Sequence, residues 1–285
     1  MRKLTFAILL SYIFISAAAV WGQWGAVGGN DPFSAMSNAF NKANPEINLE
    51  DDYYLGRTVA ANILAQYRPY TANAKLTDYV NRICQAIVIN STNPASYNGY
   101  HVMILNTQEY NAFATPGGHI FITKGLVEAA NSEDELAALI AHELAHIVLR
   151  HAAEIIDGMS LANQLDSIAS QAAALAGNSQ SAQKVLALRK ATSSIVDTMM
   201  KNGFSRDQEY AADARALELL NAAGYDPRAL ISMLQVLQRV QSGQRGGFNS
   251  THPTPADRIS RANSSVSKYQ VNTTQPNRRT RFFNK

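Results

Sequence analysis

The sequence carries a single cysteine, Cys84, so no disulfide can form within the chain and its stability has to come from packing. Charge is scarce too, at 16% of 285 residues, and aromatics reach only 8%, against 46% hydrophobic residues. That balance excludes a disordered chain and supports one domain, or two small ones, with a real core. The formal charge is only +3, and two of its contributors, Arg2 and Lys3, lie in a segment expected to be removed. A chain so close to neutral has no nucleic-acid footprint. There is no internal repeat of the kind that builds solenoids or propellers. Long apolar runs are missing as well, apart from Leu4 to Val20, which follows Arg2 and Lys3. With Ala17, Ala18, Ala19 and Gly22 closing that run, residues 1–22 read as a signal peptide cut after Ala19 or Gly22, which implies export to the periplasm or cell envelope. The alternative is an uncleaved anchor, since the run is marginally long enough to span a bilayer. No cysteine lies near the cleavage region, which excludes a lipoprotein anchor.

Cys84 falls on the stripe Leu76, Tyr79, Val80, Ile83, Cys84, Ile87, whose spacing is helical, and so belongs to the core. Residues 23–47, rich in Gly, Asn and Pro, read as a linker. Helical patterns follow over about 50–67 and 75–90, then strands HVMIL (101–105) and HIFIT (119–123). Ser132 with Glu135 forms a capping box opening a further helix, and more helices are expected over 153–176, 181–200, 205–223 and 227–241. Asn163, Asp166, Lys184, Arg189 and Lys190 rule out a membrane span in the Ala-rich part of that region. The basic tail, 267–285, reads as flexible, with peripheral contact to an anionic membrane as a further option. The fold class is α+β, mainly α, with a small sheet.

Histidine is the other scarcity: six in all, yet His142, His146 and His151 crowd into AHELAHIVLRH (141–151). On a helix His142 and His146 stand one turn apart on one face, so both imidazoles can reach a single cation. Glu143 lies beside that face, where it can take a proton from an activated water. This is the HExxH arrangement of a zinc hydrolase, with one Zn2+ per chain. Leu149 and Ala152 stand where HExxHxxGxxH would need Gly and His, so the third ligand is not a histidine of that kind. His151 would lie about 180° around a continuous helix from His142 and is read as a non-ligand.

A carboxylate is the other source. In SRDQEYAADARALELL (205–220), Glu209 and Asp213 share a helical stripe with Ala216, Leu217 and Leu220. Acids on an inward face need a positive partner. Glu209 is therefore the expected third ligand, and Asp213 the acceptor that fixes a ligand histidine's tautomer.

Together these residues resemble the HtpX-like zinc metallopeptidases, the M48 family of the Glu-zincin group. NAFATPGGHIFITKGL (111–126), SEDELAALIAHELAHIVLRH, SRDQEYAAD and THPTPADRI (251–259) match its blocks in order, over about residues 48–266. The resemblance implies a zincin-like fold, ligation by Glu209, and an edge strand at HIFIT, where Gly118, His119, Ile120, Phe121 and Ile122 would receive an extended peptide substrate. It also implies misfolded or stalled envelope proteins as substrates. Glu143 would act as general base, and His252 and Arg258 are the candidates to stabilise the oxyanion. His252 has a second possible role, swinging onto the zinc as a fourth ligand that holds the resting enzyme closed. The leading expectation is an active zinc endopeptidase. The alternative is a chaperone-like holdase with little turnover, against which the intact Glu143 argues.

Overall fold

The computed structural model describes residues 49–91, 96–152, 196, 203–241, 252, 254–269 and 276–284. The expected signal peptide, the linker and nearly all of the helices expected over 153–176 and 181–200 lie outside the described residues. No helix among the described residues is long and apolar enough to cross a membrane.

Helices α1 (Leu49–Gln66) and α2 (Ala74–Ile89) come first. Asn73 caps α2, its side-chain oxygen accepting the Leu76 N–H at 3.1 Å. Leu76, Val80, Ile83, Cys84 and Ile87 all point inward, as their spacing demands. Burial pushes the Cys84 thiol up to about 12, so it packs as a small hydrophobe and is no nucleophile.

Three strands follow: β1 (His101–Leu105), β2 (Ala112–Thr115) and β3 (His119–Thr123). β3 pairs with β1 in parallel, His101 opposite His119, and with β2 in antiparallel fashion, Ala112 opposite Ile122. The order is thus β1-β3-β2, and HIFIT is the central strand of the sheet rather than its edge. This corrects the expectation for Gly118, His119, Ile120, Phe121 and Ile122: all are buried, both sides of the strand's backbone are engaged, and no peptide can be added there. Ile120 and Ile122 point into the cluster built with α2, while Phe121 packs with Phe113, Val59, Ala60 and Ile63 of α1 on the opposite face. Burying each such side chain contributes about 1.5–3 kcal/mol. The outer side of β1 is closed as well. The Asn81 side chain accepts the Val102 N–H at 2.8 Å and donates to the Val102 carbonyl at 2.7 Å, and Tyr70 N–H donates to the Ile104 carbonyl. Among the described residues, no strand pairs with the other side of β2.

A short turn, Pro116–Gly118, joins β2 to β3, with Gly117 at φ 74°. A Cβ at Gly117 would come within 2.3 Å of the Tyr53 Cα, so α1 sits directly on this turn. His119 follows it, fully buried, with its ring stacked on Tyr53 at 5.6 Å. Burial, reinforced by the charges of His101 and Arg57, holds its pKa down to about 3 from 6.5. The unfolded chain therefore takes up this proton near pH 6.5 and the folded one only near 3. The resulting stabilisation is full above pH 6.5 and is lost as the pH falls toward 3. At pH 5 the loss should reach about 2 kcal/mol. Urea denaturation at pH 7.5 and pH 5 should show it in the wild type and a smaller pH difference in His119→Asn; an identical difference in both would assign it to other groups.

Helix α3 (Lys124–Ala129) leads into α4 (Glu133–Val148), which is buried without a break from Glu133 to His146. Then come α5 (Arg206–Ala222), α6 (Ala229–Gln241) and α7 (Pro255–Val266), with α4, α5 and α6 packed together and α7 across α5 and α6. The fold is mainly helical with a small mixed sheet, as expected, and the edge strand β2 lies beside α4.

The chain end is less loose than the tail's composition suggests. Pro276–Phe283 forms a helix, α8, against the start of α4. Arg278 donates to Asp134 Oδ1 at 2.9 Å and to the Gly224 carbonyl at 2.5 Å; Arg281 holds the Glu133 carboxylate at 2.6 and 3.0 Å; Phe282 is buried.

Candidate metal centre

Helix α4 starts where Ser132 Oγ accepts the Glu135 N–H at 3.1 Å. The Glu135 carboxylate reaches back to the Asn131 N–H at 2.7 Å, one residue earlier than a capping box requires. Glu133, Asp134 and Glu135 fill the first turn, complementing the positive end of the helix dipole. A complete capping box opens α5, with Ser205 Oγ accepting from Gln208 N and Gln208 Oε1 from Ser205 N. These two rigid, well-started helices are packed against each other and carry the site.

His142 and His146 meet through their Nε2 atoms at 3.2 Å, and Glu209 brings Oε2 to 3.5 Å from His142 Nε2 and Oε1 to 3.4 Å from His146 Nε2. His252 closes the group, its Nδ1 2.5 Å from Glu209 Oε1. One ligand atom from each of these four residues lies within 4.8 Å of the others, and all four are buried. Two imidazole nitrogens aimed at each other beside a buried carboxylate form a donor set that a divalent cation satisfies.

Around them, Asp213 Oδ1 lies 3.1 Å from His142 Nδ1. Arg258, from the first turn of α7, donates Nε and Nη2 to the two Asp213 oxygens at 2.8 and 2.7 Å and brings Nη1 to 3.2 Å from Glu209 Oε2. Burial raises the Asp213 carboxyl, but the charge and hydrogen bonds of Arg258, with His142, outweigh it and bring it down to about 2. Glu209 is likewise held well below the ordinary range: burial opposes ionisation, and the charges of His252 and Arg258 overcome it. Burial and Arg258 depress His142, yet hydrogen bonds to Asp213 and Glu209 lift it to about 9. For His146 burial wins, holding it down to about 3. A cation binding at these nitrogens displaces any proton they carry.

Glu143 is fully buried, and neither carboxylate oxygen has a hydrogen-bond partner among the described residues. Burial raises its pKa above the usual carboxylate range. A buried, unsatisfied carboxylate costs stability, so its presence beside four metal donors marks it as functional.

Every residue expected from sequence at the metal, namely His142, Glu143, His146, Glu209, Asp213, His252 and Arg258, is gathered here. His151, expected on the far side of a continuous helix, lies instead beside the site but outside the four-donor group. Helix α4 ends at Val148, and Arg150 turns through φ 57°, which returns His151 to the site. Its Nδ1 lies 2.9 Å from His146 Nδ1. The Arg150 ion pair with Asp52 at 3.1 Å was also missed, because Asp52 lies 98 positions earlier in the chain.

An HExxH helix, a glutamate on the adjoining helix and a small sheet flanking them define a metalloendopeptidase of the HExxH type. The model of Peptidase family M48 matches residues 74–266, and the chain belongs to that family. It is 25% identical to the beta-barrel assembly-enhancing protease of Escherichia coli (strain K12) over 213 residues, covering 74% of this chain and 42% of that protein. It is 26% identical over 230 residues to the mitochondrial metalloendopeptidase OMA1 of Schizosaccharomyces pombe, covering 79% and 64%, and 26% identical over 191 residues to metalloprotease LoiP of Escherichia coli, covering 66% and 69%. The chain thus spans less than half the length of the first of these relatives.

Proposed function

We propose that this protein is a zinc-dependent endopeptidase of the cell envelope, exported by its N-terminal segment and acting on misfolded envelope proteins. The observation that carries the catalytic part is Glu143, a buried carboxylate left without a hydrogen-bond partner beside the donor cluster. His142, His146 and Glu209 would hold the ion; when bound, zinc supplies a Lewis acid that lowers the pKa of water and polarises a peptide carbonyl. Glu143 takes the proton of the attacking water and returns it to the leaving nitrogen. Asp213 fixes the His142 ring, and Arg258 in turn holds Asp213 and Glu209 in place. With both Asp213 oxygens and Glu209 on its guanidinium, Arg258 acts as a positioning residue rather than as an oxyanion donor.

The substrate strand belongs on β2. Its outer side carries no strand partner among the described residues, and α4 lies alongside it. Thr123 N–H donates to the Asn111 carbonyl, so by alternation the backbone of Ala114 faces away from β3. An extended peptide pairing with it would run past the end of α4 that carries His146. The similarity to proteases named for β-barrel assembly supports an envelope substrate.

His252 supports a latch. It hydrogen-bonds Glu209 and completes a four-donor set, and four protein donors close a site that hydrolysis needs open. The test is zinc content and casein hydrolysis on one purified sample, alongside His252→Ala. One zinc per chain is expected, with hydrolysis rising in the variant. A fall to background would assign His252 to the oxyanion instead, and a folded sample never exposed to chelator but free of zinc would overturn the zinc assignment.

A further inference from the structure

We propose that His151 is a positioning residue that fixes the ring orientation and tautomer of His146 for metal binding. The inference rests on the metal-centre reading and adds to it a residue outside the donor set.

Five residues along a continued helix would carry a side chain about 140° around the axis from His146. Instead the helix stops at Val148, Arg150 adopts the left-handed conformation, and the chain doubles back so that His151 meets His146 through Nδ1 at 2.9 Å. Both rings are buried. Two Nδ1 atoms this close share one hydrogen, so one ring donates and the other accepts. The His146 Nε2 faces His142 and Glu209, inside the donor set, and must keep its lone pair to bind a cation. Its hydrogen therefore belongs on Nδ1, and His151 accepts it through a bare Nδ1 while carrying its own hydrogen on Nε2.

The surroundings hold this arrangement. Phe204 stacks on the His146 ring at 4.0 Å and 17°, leaving little freedom for rotation. Gln208, the residue that closes the α5 capping box, donates to the His151 carbonyl at 3.5 Å. Left-handed backbone at a non-glycine residue costs about 1–2 kcal/mol, and here the Asp52–Arg150 ion pair at 3.1 Å ties that turn to α1. The two ligand histidines are thus supported by different chemistry: His142 by the charged Asp213, His146 by a neutral imidazole.

Zinc affinity, read by competition with a chromophoric chelator, tests this on the full chain. His151→Leu is expected to weaken zinc about 10–100-fold. His151→Asn, whose amide oxygen can stand where Nδ1 stood, should recover affinity to within about threefold of wild type. The cobalt(II)-substituted absorption spectrum should change in the leucine variant and not in the asparagine one. Urea denaturation of the metal-stripped variants gives the purely structural contribution for comparison. Two results overturn the proposal: zinc held by His151→Leu within about twofold of wild type, or His151→Asn as weak as His151→Leu. Failure of the wild type itself to bind zinc is a different result, which removes the metal centre and this inference with it.

Discussion

Glu143→Gln should keep its zinc and lose casein hydrolysis by about 10²–10⁴-fold. Glutamine has the shape of glutamate but cannot take a proton from water, so the substitution removes the base alone. Stability should move the other way. Neither Glu143 oxygen has a hydrogen-bond partner among the described residues, so no hydrogen bond is broken. A neutral amide is also easier to bury than a carboxylate, and the variant should be at least as stable as the wild type, by up to about 1 kcal/mol in urea. Lost activity with stability kept is the signature of a residue retained for chemistry at the expense of packing. Undiminished hydrolysis would remove Glu143 as the base; a cooperative loss of folding would mean that its carboxylate has a structural partner.

Arg258→Leu should produce the largest loss of stability, and one that depends on metal. The guanidinium is 1% exposed and holds Asp213 and Glu209 together. Removing it leaves two buried carboxylates with histidine partners alone, at a cost of about 3–5 kcal/mol in the chelator-stripped protein. With zinc present the ion offsets part of the negative charge on Glu209, so the loss should shrink. Arg258→Lys should fall between, because an ammonium cannot bridge both Asp213 oxygens in the plane of a fork. Urea curves with zinc and with chelator separate the cases. Equal losses in both would reduce Arg258 to a packing residue, and no loss in either would end the clamp assignment.

The metal centre was largely legible because its determinants are local. His142, Glu143 and His146 need one helical turn, and Glu209 with Asp213 another, so periodicity alone brings each pair onto one face. The order of the sheet was not local. HIFIT is bounded by the same Pro-Gly-Gly turn whether it lies at an edge or in the middle, and the partner that decides, HVMIL, is 18 positions earlier. One signal did point to the centre: Ile-Phe-Ile is apolar on both faces, as suits a strand covered on both sides. β2 was missed because Ala-Phe-Ala-Thr is short and weakly patterned. The turn at Arg150 left no mark either, since a left-handed arginine is held by Asp52, far away in sequence. Likewise the basic tail looked unstructured until Arg278 and Arg281 met acids more than 140 positions upstream.

That last docking separates two boundaries often drawn as one. The stretch that matches the family ends at Val266, and α8 begins ten residues later. Yet α8 supplies the cations for Glu133 and Asp134, the first residues of the very helix that carries the histidines. At the other end α1, also outside the match, contributes Asp52 and the surface on which the Pro116–Gly118 turn rests. The stretch matched by the family model is therefore smaller than the unit that folds. A domain trimmed to residues 74–266 would keep all four residues of the candidate donor set and lose the supports at both the foot and the tip of its central helix.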